Sequence, residues 1–224
     1  MTNQHFKGFE PDTFQFFMEI AFNNDRTFYE ANKERCKRVV MQPMRDIALD
    51  LLPTALEVNP NFNQKLTSTV ARMNRDTRFS QDKRPYRDNS WLAFKPADSR
   101  LSENLVLYFE IDQNGYGYGL GMYNSNPALM KPFRERAVAD PERFLEIVNG
   151  ENIKKFRVEG EPFKKDRFPN APEGIKSYIN RGGISFCYYE KNTTRTFEPS
   201  LVDEVTEAFL ALKPLYRFIA GLEV

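Results

Sequence analysis

Between Leu105 and Tyr123 the chain carries a pattern that a β-hairpin satisfies and a helix does not. Leu105, Leu107, Phe109 and Ile111 fall on one parity, and Val106, Tyr108, Glu110 and Asp112 on the other. Side chains of a strand point alternately to its two faces, so this period of two buries the first set and leaves the second on a more polar face. Asn114-Gly115 follows, the pair that a two-residue type I′ turn favours because both of its central positions take positive φ. Tyr116 to Tyr123 then reads as the returning strand. With Asn114-Gly115 as the loop, Gln113 pairs with Tyr116, and counting outward sets Asp112 opposite Gly117, Glu110 opposite Gly119 and Tyr108 opposite Gly121. The glycines thus line the face of Glu110 and Tyr108, while Tyr116, Tyr118, Leu120 and Met122 join the core face. A strand glycine costs stability and marks close approach by a ligand or by other chain, so a ligand platform and a tightly packed helix both fit here.

The apolar face of such a hairpin needs cover, and helical patterns supply it. Pro11 and Asp12 open a helix that turns Phe14, Phe16, Phe17 and Ile20 inward. After the break at Asn23-Asn24-Asp25, the pattern is helical from Arg26 to about Val58. Pro43 starts its second segment, and Phe28, Ala31, Val39, Ile47, Leu51 and Ala55 face the core. Asn126-Pro127 caps a helix reaching about Ala139, Asp140-Pro141 starts another that ends near Gly150, and Glu198-Pro199 opens a C-terminal helix with Val202, Val205, Phe209 and Leu212 inward. Leu66 to Met73, Trp91 to Phe94 and Ile184 to Tyr189 read as further strands, and residues 152–182, rich in Lys, Pro and Gly, as irregular chain. This order gives an α+β fold, helices packed on a mainly antiparallel sheet, in a single domain over residues 1–224 with residues 1–8 a mobile N-terminus.

Composition narrows the chemistry. Lys plus Arg number 32 against 31 Asp plus Glu, so no global field holds a nucleic acid or an anionic membrane, and any anion site must be local. No apolar run approaches the roughly 20 residues that span a bilayer, which argues against a membrane partner. The two cysteines, Cys36 and Cys187, stand far apart without a disulfide framework, so a reducing, cytoplasmic setting is expected. With His5 as the only histidine there is no zinc-type Cys/His cluster, and no metal or cofactor is expected. No phosphate-loop or dinucleotide fingerprint occurs. Carboxylates, Lys, Arg, Tyr and Ser remain as the groups able to do work.

One segment concentrates such groups. Arg72, Arg75, Arg78, Lys83, Arg84 and Arg87 lie within sixteen residues, interleaved with Asp76 and Asp82 and followed through by Tyr86. Arginine forks bind phosphate or carboxylate bidentately, and an interleaved aspartate orients the forks, so a local anion clamp is one reading. A solvated loop whose charges pair with one another is the other. Spacing leaves helix and strand both open. Lys164, Lys165, Asp166 and Arg167 form a further basic patch, read the same two ways.

The string Arg72-x-x-Arg75-Asp76-x-Arg78-Phe79 followed by Asp82-Lys83-x-x-Tyr86 resembles the signature of an uncharacterised bacterial family, domain of unknown function 2461. Asn23-Asn24-Asp25-Arg26 with Phe28 and Glu30-Ala31-Asn32-Lys33 is similar to that family's Asn-rich N-terminal segment, and Gly119-Leu-Gly121-Met-Tyr123 to its glycine-rich strand. The resemblance covers nearly the whole chain and implies no substrate, cofactor or catalytic residue.

These readings converge on a cytoplasmic enzyme or binding protein for a phosphorylated or carboxylated small molecule. Arg72, Arg75, Arg78, Asp82, Lys83, Tyr86, Tyr108, Gly119, Gly121 and Tyr123 are the candidate ligand-binding residues, with Glu110 or Asp76 as acid or base. Asp76 is expected to fix an arginine rather than move a proton. Two other classes remain: a nucleic-acid module in which the arginines and Lys83 meet phosphates while Tyr86 or Trp91 stacks on a base, against which the balanced charge speaks, and a protein-interaction domain. If the arginine motif and the glycine face are two walls of one pocket, one of Arg72, Arg75 or Arg78 should reach Glu110, Tyr108 or a ligand between them.

Overall fold

The computed structural model describes residues 4–78, 80–97, 99–191 and 193–222. The chain opens with α1 (Pro11–Phe22), α2 (Arg26–Ala31), α3 (Lys33–Cys36), a π-helical turn (Lys37–Met41), α4 (Gln42–Val58) and α5 (Leu66–Thr69). Strand β1 (Asn89–Phe94) leads to the hairpin of β2 (Leu105–Asp112) and β3 (Gly115–Met122). Then come α6 (Pro127–Ala139), α7 (Pro141–Val148), β4 (Arg157–Glu159), α8 (Glu173–Ile179), β5 (Ser185–Glu190) and the long α9 (Leu201–Ala220). Among the described residues the strands form one sheet in the order β1-β2-β3-β5-β4, and every pairing is antiparallel. The fold is α+β, as expected.

One face of the sheet carries the core. Leu92 and Phe94, Leu105, Leu107, Phe109 and Ile111, and Tyr116, Tyr118 and Leu120 are all buried on it, together with Ile47 and Leu51 of α4 and Val205, Phe209 and Leu212 of α9. Burial of each such side chain stabilises by roughly 1.5–3 kcal/mol. Phe94 meets Phe209 edge to face, ring centroids 6.2 Å apart. Buried hydroxyls find partners: Tyr116 and Tyr118 both donate to Glu204 Oε1, at 3.1 and 3.0 Å, and Asn59 Nδ2 donates to Tyr216 Oη at 2.9 Å.

The hairpin stands where the alternation put it, with a different register. Asp112 Oδ1 accepts from the amides of Asn114 and Gly115, at 2.6 and 3.0 Å, and this side-chain cap makes Gln113-Asn114 the loop. The pairs are therefore Asp112 with Gly115, Glu110 with Gly117, Tyr108 with Gly119 and Val106 with Gly121. The shift is even, so every side chain keeps its face.

Other expectations need correction. Leu66 to Met73 is not a strand: its first four residues wind α5, with Ser68 N donating to Lys65 O and Val70 N to Leu66 O. Only from Val70 does the chain extend, bridging to Leu92. Residues 152–182 hold β4 and α8 rather than purely irregular chain. Ala31 is exposed and Phe28 half-buried, because α2 is short and packs only one edge. The N-terminus is anchored as far as it is described, with Phe6 fully buried and its amide donating to Asp50 Oδ2 at 2.8 Å. Residues 1–3 lie outside the described residues.

Candidate functional site

The arginine motif takes neither regular form. From Val70 to Arg75 it runs antiparallel to Pro85–Leu92 along the β1 edge of the sheet, through Ala71 N to Trp91 O (2.9 Å), Arg87 N to Met73 O (2.8 Å) and Arg75 N to Pro85 O (2.8 Å). Alternation along this edge decides which residues meet the core. Tyr86 turns inward, buried and stacked on Tyr29 at 4.0 Å, with its backbone clasped by Asn24, which donates to Tyr86 O and accepts from Tyr86 N. Arg87 turns to the opposite, outer face, where its guanidinium lies 5.7 Å from the Trp91 ring centroid.

Much of the remaining charge pairs within the loop. Arg78 holds Asp76 through Nε and NH2 at 3.0 and 2.6 Å, Arg75 NH1 donates to Asp82 Oδ2 at 2.6 Å, and Arg84 binds both Asp82 and Asp88. Lys83 Nζ donates to Thr77 O at 3.0 Å, and Arg72 is exposed. Phe79 lies outside the described residues. The Arg78 guanidinium, with the Arg78 amide, pulls Asp76 down to about 2, so its carboxylate stays ionised and bound to its neighbour.

The outer face explains the glycines. A Cβ on Gly119 would stand 2.0 Å from Phe186 O, on Gly115 2.2 Å from Glu190 O, and on Gly121 2.3 Å from Ser185 Oγ. It is β5, not a helix, that crowds all four positions, with Gly117 pressed by Tyr188 O at 2.9 Å and by the Tyr189 ring at 3.2 Å. The glycines thus let β5 close on β3, and the empty space lies beside them, over β1 and β2. There a cavity of about 230 Å³ is lined by Trp91, Ala93, Leu101, Val106, Tyr108, Glu110, Gly121, Met122, Tyr123 and Ser185. Trp91 and Glu110 are cross-strand partners, which puts the indole and the carboxyl side by side on the outer face.

In and beside this cavity stand groups out of their ordinary state; Cys187 and Arg87 lie outside its lining. Glu110 is half-buried and has neither a hydrogen bond nor an ion-pair partner among the described residues. Burial, with the nearby charges of Asp112 and Glu159, pushes its carboxyl above the usual range. Burial likewise raises the Tyr108 hydroxyl and pushes the Cys187 thiol beside it up to about 11. Arg87 has a buried Nε with no hydrogen-bond partner among the described residues, and burial lowers its pKa, with Arg75 adding like charge. Because folding raises the Glu110 pKa, the native state binds its proton more tightly than the unfolded chain. The associated penalty is absent at acid pH and appears as pH rises through the folded pKa. Glu110→Gln should therefore raise Tm at pH 8 and leave it nearly unchanged at pH 4, each kcal/mol relieved being worth about 2–4 °C in a chain of this size. Thermal melts at the two pH values check this, and equal shifts at both would refute the burial penalty.

Of the residues singled out from sequence, Tyr108, Glu110, Gly121 and Tyr123 line the cavity together. Gly119 lies under β5, Tyr86 is in the core, and Arg72, Arg78, Asp76, Asp82 and Lys83 are not in the lining. Neither Arg72 nor Arg75 bonds to Glu110 or Tyr108; Arg87 lies against Trp91 of the lining without being part of it. Arg87 and Trp91 were present in the sequence without a periodic signal to separate them from their neighbours. A family model for conserved hypothetical proteins, domain of unknown function 2461, matches residues 12–218, which includes both the motif and the cavity. A comparison with curated proteins finds no match.

Proposed function

The chain belongs to the family of domain of unknown function 2461, whose description names no reaction, and we propose from the site alone that it binds a small carboxylated or phosphorylated molecule with an apolar or planar body and exchanges a proton with it through Glu110. One observation carries this reading. Beside Trp91 stand two unmet polar groups, the lone carboxyl of its cross-strand partner Glu110 and the buried Nε of Arg87. An unsatisfied buried polar group such as Arg87 Nε costs about 1–3 kcal/mol, which a ligand offering it an anion recovers as binding energy, while half-buried Glu110 meets a donor on the same ligand. Trp91, Val106, Leu101 and Met122 supply apolar walls for its body. Burial raises the Glu110 carboxyl above the usual range, which makes it a better proton acceptor than an exposed carboxylate. Arg75, held by Asp82, reinforces the positive potential at Arg87 without entering the cavity. A cytoplasmic setting accompanies this reading, since Cys36 and Cys187 are both free thiols.

Trp91 is the only tryptophan of the chain, so its fluorescence reports on the cavity alone. Benzoate should quench it saturably, and Arg87→Met should weaken that binding by roughly tenfold, the worth of one charge-assisted hydrogen bond. An emission that benzoate leaves unchanged at millimolar concentration, or equal affinities in the variant, would refute the reading.

A further inference from the structure

Met122, Tyr123 and Ser185 line the cavity on one side and a second groove, of about 900 Å³, on the other. The frame of this groove is fixed. Arg134 donates from Nε to Ile179 O at 2.9 Å and from NH2 to Arg181 O at 2.5 Å, with its guanidinium 5.5 and 5.4 Å from the ring centroids of Phe163 and Phe168. Arg181 NH1 donates to Gly160 O at 2.6 Å, and Phe163 N to Asn180 O at 2.8 Å. Gly182 and Gly183 lie against Asn124 and Ser125, too close for side chains to fit freely.

Onto this frame come Lys164 and Lys165, which make no ion pair or hydrogen bond among the described residues. Arg167 stacks on Phe163 at 3.8 Å. Two carboxylates share the lining. Asp166 is already bound by Asn180 Nδ2, by Phe168 N and by Lys176, and Glu161 is the other. The amides of Lys164, Lys165 and Gly183 also donate to nothing among the described residues. Uncommitted ammonium groups beside free backbone amides are what a phosphate needs, whereas a single guanidinium edge, as at Arg87, suits a carboxylate.

We propose that this groove is a phosphate subsite, and that the ligand is an extended phosphorylated carboxylic acid. Its carboxylate end lies toward Arg87, beside Trp91 of the cavity wall, and its phosphate passes Tyr123 to reach Lys164 and Lys165. The first half stands on the groove itself; the second rests on the cavity reading above.

Inorganic phosphate followed by phosphorus NMR tests the groove, and benzoate followed by Trp91 emission tests the cavity. Phosphate should bind saturably without changing Trp91 emission, and Lys164→Glu/Lys165→Glu should weaken it by at least roughly tenfold at low salt. Arg87→Met should leave phosphate binding unchanged. Both lysines are exposed, and an unchanged Tm confirms that the charge-reversed variant is folded. Absence of phosphate binding, or equal binding by the charge-reversed variant, would overturn the subsite. So would phosphate that quenches Trp91 and is lost with Arg87→Met, since it then sits in the cavity. Phosphate binding with no benzoate response would keep the groove and overturn the extended ligand. A short single-stranded DNA that binds more tightly than phosphate through the same lysines, with steep loss in salt, would make nucleic acid the source and overturn the small molecule.

Discussion

Gly119→Ala should leave the chain unable to close its sheet, with a loss of stability on the order of 3 kcal/mol or more. The added methyl would stand 2.0 Å from Phe186 O, 3.1 Å from Phe186 C and 3.3 Å from Cys187 Cα. All three are backbone atoms of β5, which is held by β3 on one side and β4 on the other, so no side-chain rotation relieves the clash. The strand has to move, and with it go the β3–β5 hydrogen bonds and the burial of Phe186. Gly174→Ala is the control. Its Cβ would meet only the movable side chain of Leu145, Cδ1 at 3.1 Å and Cδ2 at 3.5 Å, and in the first turn of α8 the exchange gains at most a fraction of the roughly 1 kcal/mol seen in helix interiors. Urea unfolding of the two variants compares them directly. If Gly119→Ala unfolds within about 0.5 kcal/mol of the parent, β5 is free to shift and the steric account of the glycines is wrong. A glycine kept open for a ligand would instead tolerate alanine in the empty protein and lose only binding.

That contrast shows what the sequence disclosed and what it withheld. Parity alone identified the two faces of Leu105–Met122, because the sheet buries one face and any even shift of register preserves them. It could not count the pairs, since Asp112 caps the turn and moves the loop one residue back from Asn114-Gly115. Nor could it name the neighbour of the glycines. β5 lies some sixty residues downstream, and a gap made for backbone looks the same in sequence as a gap made for ligand. The arginine motif was visible as composition, but its partition was not. Which arginine pairs with an aspartate in the loop and which turns to Trp91 depends on an irregular edge pairing between Val70 and Leu92 that no period reveals. Glu110 was legible because an acid on a side-chain-poor sheet face is unusual whatever lies beside it.

The N-terminus was missed for a related reason, and Phe6→Ala should show how much it matters. Residues 4–9 form no helix or strand, so neither period applies to them, yet Phe6 is fully buried and Phe9 nearly so. Phe6 meets Phe9 edge to face at 5.1 Å, and Phe9 stacks on Phe109 of β2 at 6.3 Å, so this coil covers one end of the sheet core. Polar contacts hold it there. Asp50 of α4 accepts from the amides of His5 and Phe6, Gln4 Nε2 donates to Pro199 O at 2.6 Å, and Phe9 N donates to Thr196 O at 2.8 Å. Gly8, at φ 104°, brings the backbone so near Phe197 that a Cβ would stand 2.2 Å from its carbonyl oxygen. Removing a fully buried phenyl ring costs about 3–5 kcal/mol, a large part of the 5–15 kcal/mol that holds a domain together. Phe6→Ala should then lower Tm by roughly 10 °C. Asp50→Ala, which frees the segment while keeping its rings, should cost less but shift the melt in the same direction. Protease cleavage ahead of Pro11 should become rapid in both variants while the remaining chain stays folded longer. A Phe6→Ala protein that melts within about 2 °C of the parent would mean that this segment rests on the core without supporting it.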